Sequence, residues 1–216
     1  MSLLWLGDRG VTLQLPEPDL EAVLGLADAL QGLIERGELP GAGEVLPAMR
    51  SVSLYFDPLA ADPESWRQTL DTLLRDPPRR KAEGRVRTVP VCFDPDFGPD
   101  LPERSEEFIA AFLAAPVSVR MLGFLPGFAY LGDLPEGLRV PRLKTPRAKV
   151  PAGSVAIANA NCGVYPWESP GGWNLIGRTP ISLFDPENSA HPAWFEPGDQ
   201  VRWRRIGRDQ FESWPG

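Results

Sequence analysis

The feature that most constrains the fold of this chain is the composition of residues 122–180. Glycine and proline are interspersed there with aromatic residues and arginine, with almost no helical periodicity. Glycine loses more backbone entropy on folding than any other residue. A folded segment this rich in glycine therefore indicates that the fold requires the turns that glycine and proline form. The composition therefore predicts a shaped β surface that binds something, and it marks this segment as the place to look for function.

The chain as a whole has the composition of a folded protein with many turns. Its 216 residues suffice for one large domain or two small ones, and its 25 Pro and 21 Gly are not gathered in a low-complexity tract. The net charge of −7 argues against a general nucleic-acid binder. Neither a membrane span nor a signal peptide is predicted, so a cytoplasmic location is expected.

Residues 1–78 have the pattern of a small N-terminal α/β domain, for which we expect a ferredoxin-like arrangement. A helix is predicted from the N-cap Asp19 to near Gly37, and a second one from Asp62 and Pro63 by the rule that a cap precedes proline. Three short strands are predicted, at residues 3–6, 11–15 and 52–56. The order β-β-α-β-α indicates a small open sheet with helices on one face.

Residues 79–85 are charged and follow two prolines, and we predict that they link the first domain to a second one at 86–216. The second domain is predicted to contain one helix at 103–115. Its remaining predicted elements are short strands at 86–93, 117–122, 153–158, 173–176, 181–184 and 201–206. Short strands separated by Gly/Pro turns are typical of a barrel or a sandwich, so the predicted fold class is α+β.

Several kinds of site are disfavoured by what the sequence lacks. The only histidine is His191, in a polar turn, and the two cysteines, Cys92 and Cys162, are too few for a disulfide framework, so no metal site is predicted. Cys162 has no nearby residue that would activate a thiol. Nucleotide-binding glycine motifs are missing, so in an ATP-dependent reaction a partner would hold much of the nucleotide chemistry.

A stiff basic segment is the first candidate site. Five basic residues without an acidic neighbour are interspersed with prolines, and they are Arg139, Arg142, Lys144, Arg147 and Lys149. Arginine can grip a carboxylate or phosphate through two parallel hydrogen bonds, so Arg142 and Arg147 are candidate anion-binding residues. The alternative is a solvated loop whose charges only maintain solubility.

Two glycine-rich motifs are further candidates. Gly123–Phe128 places a Pro-Gly turn between two phenylalanines, which form either a pocket wall or a contact with another protein chain, or else a corner packed in the core. Ser169–Trp173 and Gly177–Pro180 combine glycines with hydroxyl and guanidinium donors that could stabilise an oxyanion as an amide is hydrolysed. The alternative for these segments is a β-hairpin turn with Trp173 in the core.

These segments also carry a family resemblance. GFLPGFAYLG, TPRAKVPAGSVAIA, SPGGWNLIGRTP and PGDQVRW together resemble the family of 5-oxoprolinase B subunits, also called allophanate hydrolase subunit 1-like proteins, which includes a sporulation-kinase inhibitor. The resemblance covers essentially the whole chain. It implies a cyclophilin-like β-barrel as the second domain, and as partners an A-type subunit and a C-type (allophanate hydrolase subunit 2-like) one. With these partners, family members hydrolyse 5-oxoproline to glutamate using ATP, and no cofactor is expected on this chain alone.

Residue by residue, the resemblance implies three groups of site residues. The candidate catalytic residues are Ser169, Arg178 and Thr179. The candidate substrate- or anion-binding residues are Arg142, Arg147, Ser154 and Gly172. The candidates for a pocket wall or partner face are Phe124, Pro126, Gly127, Tyr165 and Trp173. We expect Arg142, Gly172 and Arg178 to converge on one shared site. The chain departs from the family pattern in having no histidine before GFLPGF and in having Asn159–Gly163 where Gly-x-Gln-Thr-Gly is common.

Three functions remain open at the level of sequence. The first is a subunit of an ATP-dependent 5-oxoprolinase. The second is a regulatory inhibitor that docks on a sensor histidine kinase through exposed aromatic residues. The third is a non-catalytic scaffold for another amidohydrolase. The candidate anion-binding arginines and the Gly-Gly pair favour the first function. Kinase binding, by contrast, has no local signature in the sequence.

Overall fold

The structure, a computed structural model, describes residues 1–102 and 105–215. It divides into two compact units, Met1–Ala82 and Glu83–Gly216, and the division falls inside the segment 79–85. In the part of the chain that the structure describes, no helix is long and apolar enough to cross a membrane.

The first unit is a four-stranded antiparallel sheet with two helices. Its strands follow one another in the order β1-β2-β4-β3. Its elements are β1 (Ser2–Leu6), β2 (Gly10–Gln14), α1 (Leu20–Glu35), β3 (Ala42–Pro47), β4 (Ser51–Phe56) and α2 (Arg67–Arg75). Alternate apolar residues of β2 and β4 are buried and form one core with the apolar stripes of both helices.

The connectivity of this unit corrects two of the sequence expectations. The order is β-β-α-β-β-α, because the edge strand β3 was not predicted, whereas the ferredoxin-like motif runs β-α-β-β-α-β. The ferredoxin-like label therefore does not hold as stated. The observed strand order is the one that motif would have if its last strand were moved to the start of the chain.

The two helix starts differ in how well the sequence predicted them. The α1 start is confirmed, since Asp19 Oδ1 accepts a hydrogen bond from the Ala22 N–H at 3.1 Å. The prediction that α2 starts at Asp62 and Pro63 was wrong. Residues 62–66 form tight turns, with Ser65 N–H bonded to the Asp62 carbonyl at 3.1 Å, and the helix begins only at Arg67.

The second unit is built on a seven-stranded sheet within the described residues. The strand order is β12-β9-β10-β7-β6-β13-β5, and a separate two-stranded ribbon pairs β8 with β11. The strands are β5 (Val86–Val91), β6 (Val117–Leu122), β7 (Ala129–Gly132), β8 (Arg147–Val150), β9 (Ser154–Ala158), β10 (Asn161–Val164), β11 (Ser169–Gly171), β12 (Asn174–Arg178) and β13 (Gln200–Arg205). The helices are α3 (Ser105–Ala114) and α4 (Arg208–Glu212).

The two edges of the seven-stranded sheet meet at a short seam. Cys92, just after β5, exchanges two backbone hydrogen bonds with Arg178 of β12, at 2.8 and 2.9 Å. The predicted barrel is thus confirmed as a nearly closed, barrel-like sheet within a mixed α+β chain. The predicted helix at 103–115 is observed from Ser105, and residues 103 and 104 lie outside the described residues.

The Gly/Pro-rich segment contains both missed and overpredicted strands. Strands β7, β8, β10 and β11 were not predicted, because each has only three or four residues and lies in a segment where glycine and proline interrupt the alternation of apolar residues. Conversely, the strand predicted at 181–184 is wrong. Phe184 forms only an isolated bridge with Ala193, in a segment that runs as an irregular loop.

The barrel strands bury side chains on both of their faces. Val155 and Ile157 of β9 and Ile176 of β12 belong to the main core inside the barrel. The intervening Ala156 and Leu175 belong to a second, smaller core. Because successive side chains of a strand point to opposite faces, this second core lies on the outer surface of the barrel wall. It also contains Phe128, Val150 and Tyr165.

Candidate functional site

A cavity of about 490 Å³ lies over the second core and is here called the aromatic pocket. It is lined by residues of β7, of the β9–β10 turn, of the loop before β8 and of β11. The lining residues are Phe124, Phe128, Tyr130, Arg142, Pro146, Ala158, Asn159, Asn161, Tyr165, Pro170, Gly171, Gly172 and Trp173. The pocket therefore lies on the flank of the barrel, outside its wall.

Edge-to-face ring contacts hold the apolar wall of the pocket together. The Phe128 ring is buried at the centre, with ring centroids 5.0 Å from Tyr130, 5.2 Å from Tyr165 and 5.7 Å from Trp173. The Phe124 ring stands 5.5 Å from Phe128 and is 60% exposed. Such contacts fix ring orientation as well as burying area, so the wall is formed without a ligand. The two phenylalanines of the GFLPGF motif thus divide between core and rim.

Pro126 and Gly127 shape the turn that carries Phe124, but they do not line the pocket. Gly127 has φ = 82° and is buried, and a Cβ there would lie 2.8 Å from the Cβ of Phe184. The Pro126 carbonyl accepts a hydrogen bond from the Trp167 indole N–H at 3.0 Å. Phe124 itself has φ = 72°, a conformation that places strain on a residue with a side chain.

Arg142 is the cation of the aromatic pocket. Among the described residues it has no hydrogen-bond or ion-pair partner, although it lies on a well-anchored loop. The adjoining Leu143 N–H donates to the Gly172 carbonyl at 2.9 Å. A Cβ built on Gly172 would lie 3.5 Å from Arg142 Nη2, which places the guanidinium beside the Gly-Gly turn. Arg142 is therefore free to bind an anion.

The two tyrosines of the pocket keep their protons at neutral pH. Burial raises the pKa of Tyr130 and of Tyr165 above the usual 10.0, and the positive charge of Arg142 opposes the rise at both. A phenol with a raised pKa can donate a hydrogen bond but is a poor general base near pH 7. The pocket is thus equipped for binding and orientation.

Gly171 allows Tyr165 to reach its place in the wall. A Cβ on Gly171 would lie 2.3 Å from the phenolic oxygen of Tyr165 and 2.8 Å from Cζ, far inside contact distance. Only glycine permits this approach of the β11 backbone to the ring. The Gly-Gly pair of the sequence therefore serves the packing of Tyr165 at its first position and borders Arg142 at its second.

Two of the predicted anion-binding residues have structural partners instead. Arg147 Nη2 pairs with Asp100 at 2.7 Å, and both side chains are largely buried. The other carboxylate oxygen of Asp100 accepts from the Leu175 N–H at 2.7 Å. Ser154 is buried, and its hydroxyl donates to the Pro151 carbonyl at 2.7 Å. Both side chains are therefore engaged within the fold, and neither residue lines the aromatic pocket.

The predicted catalytic residues are not brought to the aromatic pocket either. Arg178 and Thr179 line a second cavity of about 440 Å³, which shares no lining residue with the aromatic pocket. Arg178 Nε donates to the Ala152 carbonyl at 2.7 Å. Ser169 is buried in β11 with its hydroxyl on the Pro170 carbonyl at 3.3 Å. The expectation that Arg142, Gly172 and Arg178 converge is therefore wrong, because β12 carries Arg178 to the barrel seam.

Sequence reasoning missed Tyr130, Asn159 and Asn161 as lining residues. Asn159 is the first residue of the two-residue hairpin turn between β9 and β10, with φ = 53°, and Asn161 directly follows that turn. Asparagine tolerates this left-handed conformation, so a β-turn signal was present in the sequence. That signal predicts a hairpin but gives no sign that the turn borders a cavity.

Among the described residues, neither a reactive cysteine nor a metal site adds chemistry to the aromatic pocket. Cys162 is fully buried, and desolvation raises the pKa of its thiol, which removes it as a nucleophile. Within residues 1–102 and 105–215, no group of three His, Cys, Asp or Glu side chains is placed to hold a metal ion. The pocket therefore offers one guanidinium, two phenols and two amides.

Comparison with known proteins identifies the family. Residues 1–195 match the family model of the carboxyltransferase domain, subdomain C and D. The 5-oxoprolinase B subunit of Bacillus subtilis (strain 168) is 35% identical over 227 aligned residues, which cover 97% of this chain and 94% of that protein. The chain belongs to the family of 5-oxoprolinase B subunits. The predicted resemblance is thereby confirmed.

Solved structures show how widely the fold of this family is used. A conserved uncharacterized protein of Pyrococcus horikoshii is 33% identical, with a TM-score of 0.56 over 97% of this chain and all of that one. Urea carboxylase of Kluyveromyces lactis is 20% identical with a TM-score of 0.75, and this similarity shows the fold alone. The match covers 97% of this chain but only 22% of urea carboxylase. The match to the solved structure of TTHA0988 likewise covers only 40% of that longer chain.

Proposed function

We propose that this chain is the B subunit of an ATP-dependent 5-oxoprolinase and that its aromatic pocket binds 5-oxoproline. The observation that carries the proposal is an unpaired arginine, within the described residues, at the edge of a pocket walled by aromatic rings. The substrate is a flat lactam ring bearing one carboxylate, so it needs an apolar surface and one cation. Arg142 supplies the cation, and Phe124 and Trp173 supply the apolar surface.

The polar groups around the pocket suit the amide of the lactam. Asn159 and Asn161 can both donate and accept hydrogen bonds, and Tyr130 has a protonated hydroxyl. Binding in this way fixes the ring and excludes water from its faces. The residues of the chain would thus hold the substrate carboxylate and orient the lactam carbonyl for attack.

The activation of the lactam is assigned to partner subunits of the A and C types. A lactam is a poor electrophile, and transfer of a phosphoryl group from ATP to its oxygen, with release of ADP, would turn the ring carbon into a site that water can attack. Collapse of the resulting tetrahedral intermediate would break the C–N bond and leave an acyl phosphate, which a second water hydrolyses to glutamate and phosphate. ATP itself fits the aromatic pocket poorly, because a triphosphate requires several converging donors and a metal ion, and Arg142 is the one cation among the described lining residues. The cyclophilin-like label of the barrel and the two partners stay predictions.

A reconstitution assay tests this function. The purified chain is mixed with the A-type and C-type subunits encoded by the same organism, and ATP-dependent release of glutamate from 5-oxoproline is measured. We expect turnover only when all three proteins are present, and a strong loss of turnover with Arg142→Ala. Arg139→Ala is the matched control, because Arg139 is engaged with the Leu134 carbonyl at 2.9 Å and does not line the pocket.

Two outcomes would contradict the proposal. The first is a complete mixture of the three proteins that releases no glutamate. The second is equal turnover with and without the guanidinium of Arg142. The sensor-kinase inhibitor and the scaffold for another amidohydrolase stay predictions from the sequence.

A further inference from the structure

The loop that carries Arg142 is tied down on both sides of that residue. On one side, the Asn159 N–H donates to the Val140 carbonyl at 2.7 Å, and on the other the Leu143 N–H donates to the Gly172 carbonyl at 2.9 Å. Arg142 itself has no partner among the described residues. The flanking backbone therefore fixes the point from which the Arg142 side chain extends.

One side chain completes this anchoring. Asn174 lies on β12 and is only 6% exposed. Its Nδ2 donates to the Pro141 carbonyl at 2.8 Å and to the Ile157 carbonyl at 3.3 Å. The same amide group thus ties the peptide just before Arg142 to the wall of the barrel.

We infer that Asn174 is a positioning residue that aims Arg142 at the ligand of the aromatic pocket. Asn174 does not line the pocket, so it acts only through the loop. A guanidinium that must meet a carboxylate in a fixed geometry needs a rigid support, and a buried amide with two carbonyl partners provides one. Removal of the amide leaves the Pro141 carbonyl without its side-chain donor, and the loop loses its central tie.

This inference rests on the proposed function for the identity of the ligand but not for the geometry. Its test therefore has two independent readouts. The first is the rate of amide hydrogen exchange at Leu143, which reports the loop without any ligand. The second is the affinity of the whole chain for 5-oxoproline, measured by calorimetry.

Asn174→Ala is the principal variant, and Asn174→Leu is a second one that fills the space without supplying donors. Asn188→Ala is the matched control, because the Asn188 side chain also bonds backbone, accepting from the His191 N–H at 3.1 Å, in a loop that does not line the pocket. We expect about fivefold faster exchange at Leu143 and about fivefold weaker binding in both Asn174 variants, as for the loss of one hydrogen bond. Asn188→Ala should change neither.

A double variant separates positioning from general destabilisation. If Asn174 acts through Arg142, adding Asn174→Ala to Arg142→Ala should cause no further loss of affinity, whereas exchange at Leu143 should still rise. Unchanged exchange at Leu143 in both folded Asn174 variants would overturn the inference, and so would an equal loss of affinity with and without Arg142. If the wild-type chain fails to bind 5-oxoproline, the proposed function fails, and the exchange rate still decides whether Asn174 holds the loop.

Discussion

The aromatic pocket and the barrel seam are built from the same residue types but use them differently. In the pocket, Arg142 lies beside aromatic rings and glycines and has no partner in the described residues. At the seam, Arg178 donates to the Ala152 carbonyl and lies over the rings of Phe97 and Phe211, at 5.5 and 5.9 Å from their centroids. The first arginine has no partner within the described residues, whereas the second holds the fold through one hydrogen bond and two ring contacts.

At the seam, Arg178 and Arg208 both have partners within the fold. The ring centroids of Phe97 and Phe211 are 4.6 Å apart. The guanidinium carbon of Arg208, in α4, lies 4.0 Å from the Phe97 centroid, and the same guanidinium pairs with Asp94 and Asp96. These contacts fasten α4 across the place where Cys92 meets Arg178. Residue type alone therefore does not distinguish a binding site from a structural contact. What distinguishes them is whether the polar groups already have partners within the fold.

The largest expected effect is on the free energy of unfolding when the two adjacent glycines are substituted, which extends the comparison to neighbouring positions within the pocket. Gly171→Ala should destabilise the fold by about 2 kcal/mol, because the new methyl group would overlap the ring of Tyr165, which is enclosed by Phe124 and Phe128. Gly172→Ala is the control, since its methyl group would lie at ordinary contact distance from Arg142 and Pro146.

Thermal or denaturant unfolding of both variants measures this difference. We expect Gly172→Ala to remain within about 0.5 kcal/mol of the wild type. Equal destabilisation by the two substitutions would show that the close approach of Tyr165 to β11 is not the feature that requires glycine.

The titration of Tyr130 and Tyr165 gives a smaller effect that reports the position of Arg142. Both phenols should ionise above the usual pKa of 10.0, and Arg142→Ala should raise both pKa values further, since its positive charge favours the phenolates. Near-ultraviolet absorbance of the phenolate measures this. Arg178→Ala should leave the two transitions where they are, because Arg178 is at the seam.

The sign of the associated stability change follows from the direction of these shifts. Well below the usual pKa of 10.0 the two phenols are protonated in both the folded and unfolded chains, so they contribute no pH dependence. As the pH rises through that value, the unfolded chain releases its protons first, and the folded state should lose stability. Phenolate formation at Tyr130 and Tyr165 at or below the usual pKa would contradict the burial described for the pocket.

The sequence predicted the regular part of the fold and only part of the site. Alternating apolar residues identified β4 and β6, and the N-cap Asp19 identified α1, because these signals are local. Strands β7, β10 and β11, which contribute to the pocket, were not predicted, since they are short, lie among glycines and prolines, and are defined by pairing with other segments. Strand β10, for example, is recognisable only from its pairing with β7 and β9.

Two arginines of the basic segment 139–149 show why the sequence could not identify the whole site. Arg142 and Arg147 are alike in sequence, and both lie next to proline. What separates them is Asp100, which is 47 positions from Arg147 and pairs with it only in the folded chain. The local absence of acidic residues therefore did not indicate that these arginines were free, and only the fold shows which one is.

The most direct test of the account is the affinity for 5-oxoproline of the wild-type chain and of its Arg142→Ala and Arg178→Ala variants, measured calorimetrically alongside their stability. We predict that Arg142→Ala binds at least about tenfold more weakly at nearly unchanged stability, as expected for the loss of a charge-assisted contact. Arg178→Ala should lose about 1–2 kcal/mol of stability and keep its affinity. An Arg142→Ala variant that binds as tightly as the wild type, or an Arg178→Ala variant that is as stable as the wild type but does not bind, would contradict the assignment of the two regions.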